Sequence, residues 1–163
     1  GSIQIAVDGI KAAANPHHFL SVTKQGVSAI VSTSGNQSCH MILRGSSVAP
    51  NFDEDSVKST SDLLEKNSLS RCLMVDCSHA NSGKDPQRQP VVMEEVLSQV
   101  SNGSNVIHSV MIESHLNAGS QSFPRPLEDL EYGVSITDGC IDWSSTEVLL
   151  RRTAEVIDKA RFS

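Results

Sequence analysis

The sequence predicts an α/β fold of the barrel kind, with parallel strands alternating with helices. Three observations predict it. From Cys39 onward, apolar runs of strand length are each followed by a stretch of helical periodicity. Three such units follow in succession, over 39–67, 73–102 and 106–161. Each run ends in an ionisable residue, Arg44, His79 and Glu113, spaced 35 and 34 positions apart. Parallel strands joined by helices gather their carboxyl ends on one face, with neighbours about 4.8 Å apart, so side chains from adjacent ends can share one ion or substrate.

The elements follow in order. Ile3, Ala6, Val7, Ile10 and Ala13-Ala14 recur at helical spacing, and Asn15-Pro16 stops that helix because proline has no amide to continue it. No strand precedes this helix, so the chain is expected to start inside an architectural unit. Phe19–Thr23 and Val27–Thr33 are β-rich and joined by Lys24-Gln25-Gly26, which predicts an inserted hairpin over 17–35. Its apolar residues serve either its own packing or an interface and regulatory role, since exposed strand edges invite partners.

Cys39–Leu43 is the first strand of the regular alternation. Its helix spans Asp53–Asn67, with Asp53 as cap and Val57, Thr60 and Leu64 along one face. Leu73–Ser78 is the second strand, and its helix begins after Gln89-Pro90, with Val92, Val96, Leu97 and Val100 as its buried stripe, ending at Asn102-Gly103. Val106–Ile112 is the third strand. The last helix is expected from Ser144, where Ser144-x-x-Glu147 fits a capping box, through Leu149, Leu150, Ala154 and Ile157 to the basic residues Lys159 and Arg161.

Composition narrows the class. With 38% hydrophobic and 20% charged residues the chain reads as globular, and a net charge of −6 without a basic cluster argues against a nucleic-acid surface. No apolar run approaches the roughly 20 residues of a spanning helix, and no signal peptide is visible, so a cytoplasmic location without membrane attachment is expected. Cys39, Cys72, Cys77 and Cys140 form no Cys-x-x-Cys pair and read as reduced thiols.

The site residues come from the strand ends. A histidine satisfying a nearby carbonyl would explain His79 taken alone, but Glu113 ends the next strand, and Asp138 lies in the loop before the last helix, able to fold over the same face. His, Glu and Asp together suit Mn²⁺, Fe²⁺, Co²⁺ or Zn²⁺ rather than a thiolate site. Asp138 also fits a turn cap, and the triplet a chance spacing. Arg44 offers a guanidinium fork to a carboxylate or phosphate, or else a salt bridge to a neighbouring acid. His17, His18, His40, His108 and His115 receive no role.

The segments His17-His18-Phe19-Leu20-Ser21-Val22-Thr23-Lys24, Ile42-Leu43-Arg44-Gly45, Asp76-Cys77-Ser78-His79-Ala80-Asn81, Val110-Met111-Ile112-Glu113-Ser114-His115 and Ser135-Ile136-Thr137-Asp138 closely resemble the type I 3-deoxy-D-arabino-heptulosonate-7-phosphate (DAHP) synthases. The resemblance runs the length of the chain and implies the carboxyl-terminal half of a (β/α)₈ TIM barrel, its last three βα units, with the inserted hairpin. It implies condensation of phosphoenolpyruvate with erythrose 4-phosphate, the first step of the shikimate pathway. C3 of phosphoenolpyruvate attacks the aldehyde, water adds at C2 and phosphate leaves. A divalent metal would be held by His79, Glu113 and Asp138, with His79 also the catalytic assignment, and Arg44 would hold phosphoenolpyruvate. Phe19, Ser21 and Val31 match positions lining an aromatic amino-acid inhibitor pocket, and the complete protein is expected to be a homo-oligomer.

The family's fourth ligand, a cysteine in Gly-Pro-Cys-Ser-Ile-His-Asp, and its Lys-Pro-Arg-Thr, Gly-Ala-Arg-Thr-Thr and Gly-Phe-Lys-Asn-Gly segments are not in this sequence. Cys77 reads as packing, not a substitute ligand. The isolated chain is therefore expected to be inactive. Three residues depart from the family pattern: Ser46 for a second glycine, Gly139 for alanine, and Asp142 for glycine, the last expected to weaken binding at an anion site. These departures leave two alternatives open. One is a non-catalytic barrel segment binding anions or an aromatic effector; the other is a related synthase using another sugar phosphate.

Overall fold

The computed structural model describes residues 2–161, with the side chain of Arg161, part of the expected basic end, outside the described residues. In chain order it contains α1 (Ile3–Ala14), β1 (His18–Val22), β2 (Ser28–Ser32), β3 (Met41–Leu43), α2 (Glu54–Lys66), β4 (Leu73–Asp76), α3 (Gln89–Ser101), β5 (Ile107–Met111) and α4 (Trp143–Arg161). Strands β3, β4 and β5 form a parallel sheet in that order, with Leu43 opposite Val75 and Asp76 opposite Met111. The predicted α/β alternation is present. The strands are shorter than expected, because Cys39-His40 and Cys77-Ser78 lie outside the ladder.

Side-chain alternation gives the sheet two unlike faces. Met41, Leu43, Leu73 and Val75 are buried against the helices. One cluster joins Val7 of α1 and Val57 and Leu64 of α2 to β3, while another joins Val92, Met93, Val96 and Leu97 of α3 and Leu149 of α4 to Val75. The opposite face carries Ile42 and Met74, and Ile42 is 48% exposed. Within α3, Val100 is only half-buried, whereas Met93, Gln89 and Gln99 are buried.

Asp53 caps α2 as predicted, its carboxylate accepting from Ser56 N at 2.9 Å. The capping box at Ser144 is not formed. Asp142 takes the cap instead, accepting from Ser145 N at 2.7 Å, and Glu147 pairs with Arg151 at 2.7 Å rather than reaching back. That hydrogen bond holds the Asp142 carboxyl below the usual carboxylate range. The helix also turns Leu150 and Ala154 outward and packs Leu149, Val156 and Ile157 inward.

The hairpin pairs β1 and β2 antiparallel with Phe19 opposite Val31, and Gly26 in its turn has a φ of +79°. Its flanks close the carboxyl end of α1. His17 Nε2 lies 2.7 Å from Ala12 O, Asn36 N donates to Ala13 O at 2.8 Å, and Gln37 Nε2 donates to Ala14 O at 2.7 Å. The helix ends at Ala14, ahead of Pro16, so its last carbonyls need partners outside the helix. All four cysteines are free, with Cys77 and Cys140 buried. Among the described residues no helix is long and apolar enough to cross a membrane.

Candidate metal centre

The three ionisable residues expected at one face do meet. His79 Nε2 lies 3.6 Å from a Glu113 carboxylate oxygen and 3.7 Å from one of Asp138, and the three donor atoms lie within 4.8 Å of one another. Each arrives on a different segment: His79 beyond β4, Glu113 beyond β5, and Asp138 from the long loop between β5 and α4. His79 and Glu113 are partly buried, whereas Asp138 is 61% exposed.

The donor set fits a divalent ion. Donors about 2.1 Å from one ion at tetrahedral angles stand about 3.4 Å apart, close to the separations of His79 Nε2 from Glu113 and from Asp138. His79 is also presented the right way round. Its Nδ1 lies 2.7 Å from Asp76 Oδ2, so the carboxylate holds the proton on Nδ1 and leaves Nε2 to face Glu113 and Asp138. Backbone conformation contributes as well: His79 has a φ of +48°, a left-handed geometry that histidine tolerates better than most residues.

Three buried polar residues that sequence reasoning missed organise these strand ends. Asp76 accepts from Ser78 N at 2.8 Å in addition to engaging His79. Asn81 Nδ2 donates to Leu43 O at 3.0 Å and Asp76 O at 2.8 Å, tying the ends of β3 and β4 together, while its Oδ1 accepts from Asn51 N at 2.9 Å. Gln89 bonds both backbone groups of Glu113. The Asp-x-x-His spacing was a visible signal for Asp76; Asn81 and Gln89 have none, because they act on backbone distant in sequence.

Arg44 stands at the end of β3 with its side chain 60% exposed and its Nε 3.8 Å from Asp76 Oδ2. Both expectations for it are thus compatible, because the loose ion pair leaves the rest of the guanidinium open. Arg44, Ser46, His79, Lys84 and Asp138 line an open cleft of about 450 Å³. Lys84 is a second cation that the sequence reading did not single out. Gly45 has a φ of +76°, and a Cβ there would stand 2.8 Å from Ala80 Cβ and 2.9 Å from Asn81 N. No larger residue fits without displacing the 80–81 turn.

The departures acquire local roles. The Ser46 hydroxyl accepts from Val48 N at 3.1 Å and Ala49 N at 3.2 Å, ordering the loop beside Arg44. Asp142 is occupied as the α4 cap, its carboxylate accepting from Ser145 N. Cys77 is fully buried, and burial pushes its thiol up to about 12, in keeping with packing. Cys140 is also buried, its sulfur 4.0 Å from a Glu113 carboxylate oxygen. Burial raises its thiol pKa, partly offset by a hydrogen bond with Ser135 and reinforced by the charges of Glu113 and Asp138.

Phe19, Ser21 and Val31 share one face of the hairpin, Phe19 directly opposite Val31. The five unassigned histidines stay apart from the three-residue cluster: His108 Nδ1 lies 2.9 Å from Val106 O, and His115 Nδ1 accepts from Leu116 N at 2.9 Å.

Comparison with known proteins is consistent with this geometry. A Saccharomyces cerevisiae phospho-2-dehydro-3-deoxyheptonate aldolase, phenylalanine-inhibited, is 46% identical over 99% of this chain and 45% of its own length. The Tyr-sensitive enzyme of that name from Escherichia coli is 44% identical over 93% of the chain and 42% of its own. A solved phospho-2-dehydro-3-deoxyheptonate aldolase from Francisella tularensis superposes with a TM-score of 0.89 at 44% identity, covering 97% of this chain and 46% of that one. The chain therefore spans a little under half the length of these relatives. The sequence model of the DAHP synthetase I family matches residues 1–151, and with the strand-end cluster in place the chain belongs to that family.

Proposed function

We propose that residues 1–163 are the carboxyl-terminal half of a metal-dependent DAHP synthase, the last three βα units of a (β/α)₈ barrel with a hairpin inserted over 17–35. The observation that carries this reading is the convergence of His79, Glu113 and Asp138 beside the Arg44 cleft. The half-exposed face bearing Ile42 suits the interior of a barrel closed by further strands, since three strands cannot close one of eight. The reaction is the joining of phosphoenolpyruvate to erythrose 4-phosphate with release of phosphate.

His79, Glu113 and Asp138 would hold Mn²⁺, Fe²⁺, Co²⁺ or Zn²⁺, which supplies Lewis acidity toward the aldehyde oxygen. Asp76 keeps the Nδ1 proton of His79 and so maintains the Nε2 lone pair. Arg44 and Lys84 supply positive charge for the carboxylate and phosphate of phosphoenolpyruvate. Holding two anionic reactants side by side removes much of the entropic barrier to a bimolecular step. Phe19, Ser21 and Val31 form part of an aromatic amino-acid effector site, and the complete protein is a cytoplasmic homo-oligomer.

The test is phosphate release from phosphoenolpyruvate and erythrose 4-phosphate by the complete polypeptide carrying these residues. Activity should disappear with a chelator and return with Mn²⁺, and His79→Ala or Glu113→Ala should abolish it. Wild-type turnover in either variant refutes the assignment, and preference for a five-carbon sugar phosphate redirects it to a related synthase.

A further inference from the structure

We infer that Gln89 is a positioning residue for the metal ligand Glu113. The inference rests on the metal-centre reading above. Gln89 is the first residue of α3 and is fully buried, a placement that is costly unless its amide is satisfied. One residue satisfies it. Gln89 Nε2 donates to Glu113 O at 3.0 Å, and Gln89 Oε1 accepts from Glu113 N at 2.7 Å.

The paired bonds do for Glu113 what a neighbouring strand would do. The β4–β5 ladder ends at Met111, so β4 gives the peptide groups of Glu113 no partner. On the other side, Ile141 N donates to Glu113 O at 3.0 Å. The side-chain amide of Gln89 therefore extends the sheet by one rung at the residue whose carboxylate must meet His79 Nε2. Productive ligand geometry tolerates displacements of only about 0.5 Å, so a Glu113 backbone held from the Ile141 side alone spoils the donor spacing.

Three residues earlier, the ring of Pro86 lies against the peptide that follows Asp138. A Cβ added to Gly139 would stand 3.3 Å from Pro86 Cγ and 3.4 Å from Cδ. A side chain at 139, where the family pattern has alanine, would press on this ring and need a shift of a few tenths of an ångström. The same short segment thus holds Glu113 through a hydrogen-bonded amide and runs beside the turn that follows Asp138.

The test measures metal binding in the complete polypeptide. Gln89→Met keeps the side-chain length and loses both bonds; Gln99→Met is the control, removing a buried glutamine of the same helix that bonds Phe52 O instead of a ligand. The Mn²⁺ dissociation constant, by calorimetry, should rise about tenfold or more in Gln89→Met, and the Co²⁺ d–d absorption should shift. Gln99→Met should lower thermal stability while leaving both metal readouts unchanged. Should Gln89→Met fail to fold, Gln89→Asn carries the comparison, because it keeps a neutral amide but is one methylene too short to make both bonds to Glu113; at least a threefold weakening is expected. Mn²⁺ binding within twofold of wild type and an unchanged Co²⁺ spectrum in the folded Gln89 variant overturn the inference while His79→Ala still abolishes binding. If His79→Ala binds Mn²⁺ like wild type, the metal-centre reading itself has failed, and this inference with it.

Discussion

Replacing Asp76 with asparagine exchanges one carboxylate oxygen for an amide nitrogen and leaves the side-chain volume almost unchanged. Asp76 is 3% exposed and accepts two hydrogen bonds, from Ser78 N at 2.8 Å and at His79 Nδ1 at 2.7 Å. An amide has one acceptor oxygen, so Asp76→Asn can keep only one of them in place. If the oxygen stays with Ser78, an NH₂ group faces His79 Nδ1 and the ring proton moves to Nε2, the atom that points at Glu113 and Asp138. If it turns to His79, the Ser78 amide is left facing another donor. A buried donor without a partner costs about 1–3 kcal/mol, equivalent to a roughly 5- to 150-fold change in an equilibrium constant. The Mn²⁺ affinity of the complete polypeptide should therefore fall by about 10- to 100-fold, measured by calorimetric titration, with ring ¹⁵N shifts of His79 reporting the tautomer. Unchanged affinity with Nε2 still unprotonated in the metal-free Asp76→Asn protein would refute the reasoning.

Two further substitutions probe the framework. Gly45→Ala places a methyl group 2.8 Å from Ala80 Cβ at a φ of +76°; the left-handed backbone alone costs about 1–2 kcal/mol. Denaturant unfolding should show at least that loss, and phosphoenolpyruvate binding should weaken as the cleft between Arg44 and Ala80 opens. For Asp142, the folded-state pKa is depressed by the hydrogen bond from Ser145 N. Its contribution to stability is therefore present above the carboxyl's unfolded value and is lost as pH falls through the lower folded one. Thermal unfolding followed between pH 5 and pH 2 should show a steeper acid decline in wild type than in Asp142→Asn, and identical slopes would remove Asp142 from the cap.

Much of this organisation can be read from residue order, because periodic burial and strand-end placement leave a local trace. The stripes of α2 and α3 and the hairpin turn at Gly26 follow from spacing and backbone freedom alone. Arg44, His79 and Glu113 were visible because each ends an apolar run. Ser144 looks like a cap in the sequence, but Asp142, two positions earlier, takes the Ser145 amide with a charged carboxylate, a stronger acceptor than a hydroxyl. Gln89 and Asn81 stayed hidden for a different reason: Gln89 serves backbone 24 positions away and Asn81 backbone 38 away. Only the fold reveals such pairings, and a polar residue inside a helix or turn otherwise reads as solvent-facing.

The hairpin's attachment to α1 divides it into a stem and a tip with different freedoms. His17, Asn36 and Gln37 at the stem occupy the last carbonyls of α1, so excising the loop would fray a helix that packs on β3 through Val7. The tip around Lys24–Gly26 has no such duty. Variation can therefore accumulate at the tip and along the exposed strand face without disturbing the sheet, whereas the stem is inherited with the helix it closes. The ornament is grafted at its base and editable at its end.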